Sequence, residues 1–313
     1  KERSTLLYNN LSGYFRTKYG KRLKKICIDG GFTCPNRDGK CGTGGCIYCG
    51  ERGAGEHIYA SASITEQVRA SLENASEDEL FVAYFQNFTN TYDTLDNLKE
   101  KYDSCLIDDR IVALAIATRP DCITEDIVKL LASYKNRLHV FVELGLQTSN
   151  DETAKLINRG YNSNVFTETV NLLNKYDIEV ITHIMVGLPN ESFEDIKQTV
   201  EFLNKHNIQG LKIHSCYVVE NTKLAKLYQN GNYSPISLDE YLEYASYIIT
   251  HINPNIILHK VSGDAPKDLL IAPEWNSHKK WILNGLDKLL TEIESRKQNI
   301  TGLFVFIIIN YCL

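Results

Sequence analysis

"IEVITHIMVGLPNESFEDIKQTVEFLNKHNIQGLKIHSCYVV", residues 178 to 219, holds two short runs rich in Val, Ile and Leu on either side of an amphipathic stretch. The runs, 178–189 and 210–219, are nearly continuous in apolar residues instead of alternating, as strands of a parallel sheet are when both faces are covered. The stretch between them, "SFEDIKQTVEFLNKH", has helical periodicity. A strand, a helix and a second strand of this kind make a crossover unit, and such units wind right-handed.

The unit repeats toward the amino terminus. The runs "KKICIDGG", "ELFVAYFQN" (79–87), "IVALAIATRP" (111–120) and "LHVFVELGLQ" (138–147) precede it, with "SITEQVRASLEN" and "TEDIVKLLASYKN" among the intervening stretches. In the latter, Thr124 is a capping hydroxyl, followed by Ile127, Leu130 and Leu131 at helical spacing. Six such units predict an α/β fold. A full eight-unit barrel takes about 250 residues or more, and beyond the sixth run there remain only a helix (238–252), a short strand "IILHKV" and a helix around 276–297. The expectation is a partial (βα)6 TIM-like barrel with a C-terminal extension: residues 1–23 a basic lead-in, 24–235 the core, 236–313 the extension. The late apolar run "GLFVFIII" falls far short of the roughly 20 residues of a membrane span, and reads as a packing strand or an anomalous terminus.

A chain of 313 residues, 43 % hydrophobic and 23 % charged, has an ordinary globular composition. Its formal charge of −5 exerts no global pull on nucleic acid, so such a partner needs a local patch. "FRTKYGKRLKK" (15–25) is the candidate, a solvated basic surface being the plainer reading. The nine cysteines are an odd number, and no signal-peptide pattern opens the sequence, so we expect a reducing cytoplasm and no membrane.

In parallel α/β folds ligands gather at the carboxyl ends of the strands. In chain order those ends offer Cys34; Gln86, Asn87 and Thr89; Thr118 and Arg119; Glu143 and Gln147; Gly187; and His214 with Tyr217. Of the eight histidines only His214 is expected to be a pocket group. After the first strand "GFTCPNRDGKCGTGGCIYCG" (31–50) concentrates four cysteines. A structural zinc usually takes two CxxC-like pairs. Only Cys46 and Cys49 form one, although Cys34 and Cys41 could complete four ligands. A thioredoxin-like CxxC would open a helix directly after a strand. Three cysteines on a flexible loop also suit a [4Fe–4S] cluster with one iron open, and Gly39, Gly42, Gly44 and Gly45 would let the loop bend around it.

On these residues the chain resembles the radical S-adenosylmethionine (SAM) superfamily. "GFTCPNRDG" with "GGCIYC", "YFQNFTNTY", "ATRPD", "VELGLQTSNDET", "INRGYN" and "HIMVGLPNES" are similar to its YhcC/YtqA (Elp3-like) branch, from about Tyr8 to Trp281. The cysteine spacing departs from the usual three and two: eleven residues separate Cys34 from Cys46.

The resemblance implies that Cys34, Cys46 and Cys49 hold three irons of a [4Fe–4S] cluster, that SAM chelates the fourth, and that Cys41 is spare. It implies Glu143 and Gln147 at the ribose, with a buried Glu paired to Arg as the alternative. Because four residues is an even step in a strand, both should share one face. Arg159 or Arg119 would take the SAM carboxylate, Arg119 having Asp121 as a competing partner. Gln86 and Asn87 would take the amino group, where related enzymes carry Gly-Gly-Glu. Tyr48 and Gly187 would lie near adenine, the alternatives being a loop anchor and a turn glycine. The implied activity is reductive cleavage of SAM to a 5′-deoxyadenosyl radical that matures the C5 side chain, of carboxymethylaminomethyl type, of the tRNA wobble uridine. The implied partners are tRNA and a flavodoxin- or ferredoxin-type electron donor. The alternatives are a small-molecule substrate, as in the coproporphyrinogen oxidase relatives, or a noncatalytic iron–sulfur or zinc protein that binds RNA.

Overall fold

The computed structural model describes residues 8–51, 53 and 62–311, with side chains through 296. His57 and Cys312 fall outside them. Its strands are β1 (Leu23–Ile28), β2 (Leu80–Phe85), β3 (Ile111–Thr118), β4 (His139–Gln147), β5 (Glu179–Val186), β6 (Gly210–Ser215), β7 (Val218–Val219), β8 (Ile257–Lys260) and β9 (Leu270–Ala272). The first six and β8 form one parallel sheet in that spatial order, while β7 and β9 pair antiparallel beside it. The sheet curls into a partial TIM barrel, as expected. "IILHKV" is its seventh strand, with Ile257 in register with Gly210.

The helices are α1 (Leu11–Tyr19), α2 (Ile64–Leu72), α3 (Leu95–Asp103), α4 (Glu125–Ser133), α5 (Asp151–Leu156), α6 (Ser163–Lys175), α7 (Phe193–Asn204), α8 (Lys223–Gln229), α9 (Leu238–His251) and α10 (Lys279–Tyr311). Their starts are written in the sequence. Ser63 with Glu66, Ser192 with Asp195 and Ser237 with Glu240 form capping boxes, each cap contributing about 1 kcal/mol. The Thr124 hydroxyl accepts from the Ile127 amide, 3.4 Å away. The "GLFVFIII" run continues α10 and is not a strand. No proline follows Lys279 to end that helix.

Each strand presents two different faces. Outward, Ile26, Ile28, Phe85, Ile116, Val142, Leu144, Val180, Ile213 and Leu258 join helix residues in one core, and Tyr241, Ile248, Ile282 and Leu286 of the C-terminal segment belong to it too. Inward, α1 closes the amino end of the barrel. Phe15 packs against Val82, Tyr84, Ala113, Phe141 and Ile181, and Tyr14 donates a 3.0 Å hydrogen bond to Glu179. Phe15 and Phe141 thus fill the amino end of the barrel, opposite the carboxyl ends of the strands.

Candidate active site at the carboxyl ends of the strands

The cysteine loop is tied down before any ligand is considered. Cys34 O accepts from the amides of Arg37 (2.8 Å) and Asp38 (3.3 Å), and Cys46 O accepts from Cys49 N at 3.1 Å. The Arg37 guanidinium reaches across the loop to the carbonyls of Gly50 and Glu51. Ile47 pairs with the Ile157 carbonyl (3.0 Å) and accepts from Leu224 N (2.8 Å), which fixes the CxxC turn against α5 and α8. Gly44 and Gly45 have φ of 76° and 71°, a region that favours glycine.

Asn36, 1 % exposed, sends Nδ2 toward Cys46 Sγ at 3.8 Å. The Cys46 thiol is pulled below its ordinary value, mainly by a hydrogen bond from Cys49, with Arg119, Tyr48 and Asn36 adding to it. Cys34, Cys46 and Cys49 are half-buried and Cys41 is exposed, all as free thiols. Among the described residues no three His, Cys, Asp or Glu side chains converge as a single metal ion would need. A cluster asks for something else, one thiolate on each of several irons. This loop offers three half-buried thiols, with Cys46 lowered and Cys49 raised by the hydrogen bond between them.

At the exit of β2, Asn87 is 1 % exposed. Its Nδ2 donates to Asp29 at 2.8 Å, which leaves Oδ1 buried with no partner among the described residues. This is an acceptor awaiting a donor such as an ammonium group. Gln86 sits beside it, its amide 3.4 Å from the Ile28 carbonyl.

Arg119 and Arg159 converge on one ring, their guanidinium carbons 4.9 and 4.6 Å from the centroid of Tyr161. Arg119 grips Asp121 with two hydrogen bonds (2.9 and 2.6 Å) and donates a third to the Arg159 carbonyl (2.9 Å). Arg159, fully buried, donates to the carbonyls of Leu146, Thr148 (2.7 Å) and Tyr161 (2.9 Å) and to Asp151 (3.3 Å). A guanidinium has five N–H bonds, so Arg119 keeps two and Arg159 one beyond these. Arg159 is thus first a clamp on the β4 exit.

Gln147 departs from simple alternation. The β4–β5 register slips between Gly145 and Gln147, and Gln147 has φ 59°. Its side chain still folds back over the inner face. A Cβ on Gly145 would lie 2.6 Å from Gln147 Nε2, and the Tyr161 hydroxyl, donating to the Gly145 carbonyl at 2.6 Å, lies 3.4 Å from Gln147 Oε1.

Glu143 lies deeper and is already engaged. Its Oε2 accepts from Tyr84 (2.7 Å), Lys212 and His183 (2.8 Å). The partner expected for a buried Glu143 was an arginine; it is Lys212, 3 % exposed on β6. The Lys212 ammonium leads the groups that hold Glu143 well below the carboxylate range, against the opposing pull of burial. Tyr48 packs against the apolar cluster of Ile47, Ile157, Leu188 and Leu224, as a loop anchor does. Gly187, with φ 88°, would bring a Cβ within 3.0 Å of Ile236, so a local turn already requires it.

Sequence reasoning missed Tyr161, although "INRGYN" contains it, and it missed His183, Lys212 and His259. A lysine within "GLKIHS" and a histidine within "VITHIMV" were the available hints. Of the basic stretch 15–25, Lys25 is exposed on β1, with its ammonium 5.0 Å from the centroid of the Tyr84 ring. The residues before Leu23 precede β1 and so lie at the closed amino end, where Lys24 pairs with Glu79, Lys21 with the Asp78 carbonyl and Arg22 with Ser12.

Loop and converging arginines on a partial barrel accord with two matches in tandem, to the Radical SAM superfamily over residues 37–203 and to the Radical_SAM C-terminal domain over 208–292. The chain belongs to the radical SAM superfamily, and its cofactors are a [4Fe–4S] cluster and SAM. It is 37 % identical over 293 residues to YtqA of Bacillus subtilis, covering 92 % of this chain and 90 % of that one. To YhcC of Escherichia coli K12 it is 33 % identical, covering 91 % and 93 %. To the tRNA uridine(34) acetyltransferase of Methanocaldococcus infernus it is 30 % identical over 166 residues, 52 % of this chain and 30 % of that one. The solved structure of Elp3 from M. infernus shares the fold with a TM-score of 0.66 at 19 % identity, over 85 % of this chain and 63 % of that one.

Proposed function

We infer that this radical SAM enzyme matures the C5 side chain of the tRNA wobble uridine, with Cys34, Cys46 and Cys49 as the cluster ligands. The observation that carries the reading is that the cysteine loop, the orphaned Asn87 carbonyl, Gln147 and the Arg119, Tyr161 and Arg159 group all lie at the carboxyl ends of the strands. A [4Fe–4S] cluster held by Cys34, Cys46 and Cys49 would supply the one-electron reduction that cleaves SAM to methionine and a 5′-deoxyadenosyl radical, a species able to take a hydrogen atom from an unactivated carbon.

The chain's own residues bind and orient. Asn87 Oδ1, with Gln86 beside it, accepts from the SAM amino group, and the spare N–H groups of Arg119 and Arg159 take its carboxylate. Gln147 reaches the ribose. The apolar walls of the barrel exclude water from the reacting atoms. A single-stranded anticodon loop can splay its uridine into such a mouth, and the local similarity to a tRNA uridine(34) enzyme supports that substrate. A low-potential flavodoxin or ferredoxin supplies the electron.

The test is anaerobic. Reconstituted protein receives SAM and dithionite, and 5′-deoxyadenosine is measured with and without undermodified tRNA. Release stimulated by tRNA supports the reading. Release indifferent to tRNA turns the search to small molecules, and no release from protein holding about four irons removes the catalytic assignment.

A further inference from the structure

Asn36 belongs to no ligand set, yet the cysteine loop is built around it. It is 1 % exposed and stands two residues after Cys34. Its Nδ2 donates both to the Asn158 carbonyl, at 2.5 Å, and to Cys46 Sγ, at 3.8 Å. A carbonyl can only accept, so the amide cannot be turned the other way round. The frame that holds it is closed. Asn158, with φ 54°, sends its own Nδ2 to the Gly45 carbonyl (2.7 Å), and Gly45 N donates to the Asn36 carbonyl (2.8 Å). The remaining atom of the amide, Oδ1, is buried with no partner among the described residues. Gly42 makes room for it, since a Cβ there would lie 2.3 Å from Oδ1. A buried acceptor left unpaired is costly, and a side chain serving only to tie down a loop would satisfy both ends of its amide. This one satisfies the donor end alone and aims it at sulfur.

We propose that Asn36 is a positioning residue that acts through Cys46, its amide donating to the ligand sulfur and so favouring the reduced state of the cluster. The inference rests on the reading of Cys46 as a cluster ligand, and it is independent of the substrate. Reduction adds one negative charge, part of which falls on the sulfurs, and an N–H aimed at a ligand sulfur stabilises the more negative state. The Asn158 and Gly45 contacts fix the amide beforehand, so the donor needs no rearrangement when the electron arrives. An electron donor of given potential then loads a larger share of the clusters.

The experiment reads the midpoint potential of the reconstituted cluster, without SAM, in an anaerobic titration followed by electron paramagnetic resonance. In Asn36→Ala the ratio of reduced to oxidised cluster at a fixed potential is expected to fall at least threefold, which is about 28 mV toward the negative at roughly 59 mV per tenfold for one electron. Asn158→Gly keeps the left-handed backbone and the carbonyl that Asn36 uses, but loses the tie to Gly45. It should leave the potential unchanged while a chelator strips the cluster faster. No shift in Asn36→Ala, or equal shifts in the two variants, overturns the proposal, because loosening of the loop would then account for the result. The parent protein supplies a second readout should Asn36→Ala fail to hold iron. With heavy nitrogen in the asparagine side-chain amides, the reduced cluster should show a nitrogen hyperfine coupling that persists in Asn158→Gly, and its absence from the parent overturns the proposal. The ligand reading fails separately. If Cys46→Ser keeps all the iron of the parent, Cys46 is no ligand and the inference falls with it. If Cys46→Ser loses iron while Asn36→Ala keeps the parent potential, the role of Asn36 falls alone.

Discussion

Replacing Lys212 with methionine tests the interior of the barrel most directly. The Glu143 side chain is 0 % exposed and the Lys212 side chain 4 %, so the substitution leaves a carboxylate in a dry site with only Tyr84 and His183 as donors. Removing one partner of a buried pair costs about 3–5 kcal/mol. At roughly 2–4 °C per kcal/mol for domains approaching this size, the melting temperature should fall by about 6–20 °C. Glu143→Gln in the same chain removes the stranded charge, and its carbonyl can still accept from Tyr84 and His183. The double variant should therefore recover more than half of the loss. Urea unfolding followed by circular dichroism, with all four proteins at matched cluster content, gives the complete cycle. The pair is refuted as a structural unit if Lys212→Met costs under about 1 kcal/mol, or if the double variant loses the sum of the two single losses, because independent sites add.

Three further outcomes follow from the same geometry. Serine at Cys34, Cys46 or Cys49 should each lower bound iron well below that of the parent protein, whereas Cys41→Ser should leave it unchanged; iron and sulfide analysis after reconstitution decides this. Stability should fall on acidification from pH 7.5 to 5.5. His183, His214 and His259 are held below the ordinary imidazole value, chiefly by burial, so the unfolded chain takes up protons first, and each contributes a loss of up to about 1.4 kcal/mol per pH unit. Lys212, lowered by burial to about 7, extends the same slope above neutrality, and a urea midpoint no lower at pH 5.5 than at 7.5 contradicts it. If tRNA enters at the carboxyl ends of the strands, Lys40→Ala with Lys223→Ala, on and beside the cysteine loop, should weaken tRNA binding and reduce its salt slope by about 2. Lys21→Ala with Arg22→Ala at the closed end should leave both unchanged, and the opposite ranking would place the RNA on the lead-in.

What could be read from the sequence was whatever one face of one element records. Ile26, Phe85, Ile116, Val142 and Ile213 made their strands legible, because apolar runs of that length between amphipathic stretches have few other solutions. The pairing of Ile257 with Gly210 was not legible, since "IILHKV" carries no mark of which edge it will join. The helical state of "GLFVFIII" was missed for a related reason: a short apolar run has no period that separates strand from helix. At the site, motif likeness named Asn87, Arg119, Gln147 and Arg159, but not how far they were already committed. Backbone carbonyls hold Arg159, and carbonyls leave no trace in a sequence. Glu143 was expected at the rim, and its partner Lys212 lies 69 residues later.

The same strands had to meet two opposed demands. Outward residues bury apolar area that stabilises the barrel, while inward ones hold Tyr84, Glu143, His183 and Lys212 out of water at a cost that only mutual pairing offsets. Side chains alternate between the faces, so a substitution inside the lumen leaves the outer core untouched, and the price is confined to one layer. The floor built from Phe15 and Phe141 keeps water from entering below that layer. A barrel so divided can change what it binds through a few inward positions, such as His183 and His214, while keeping its fold. For that reason a lumen substitution should alter the unfolding midpoint through the polar pairing it breaks, as Lys212→Met does, and not through the outward core.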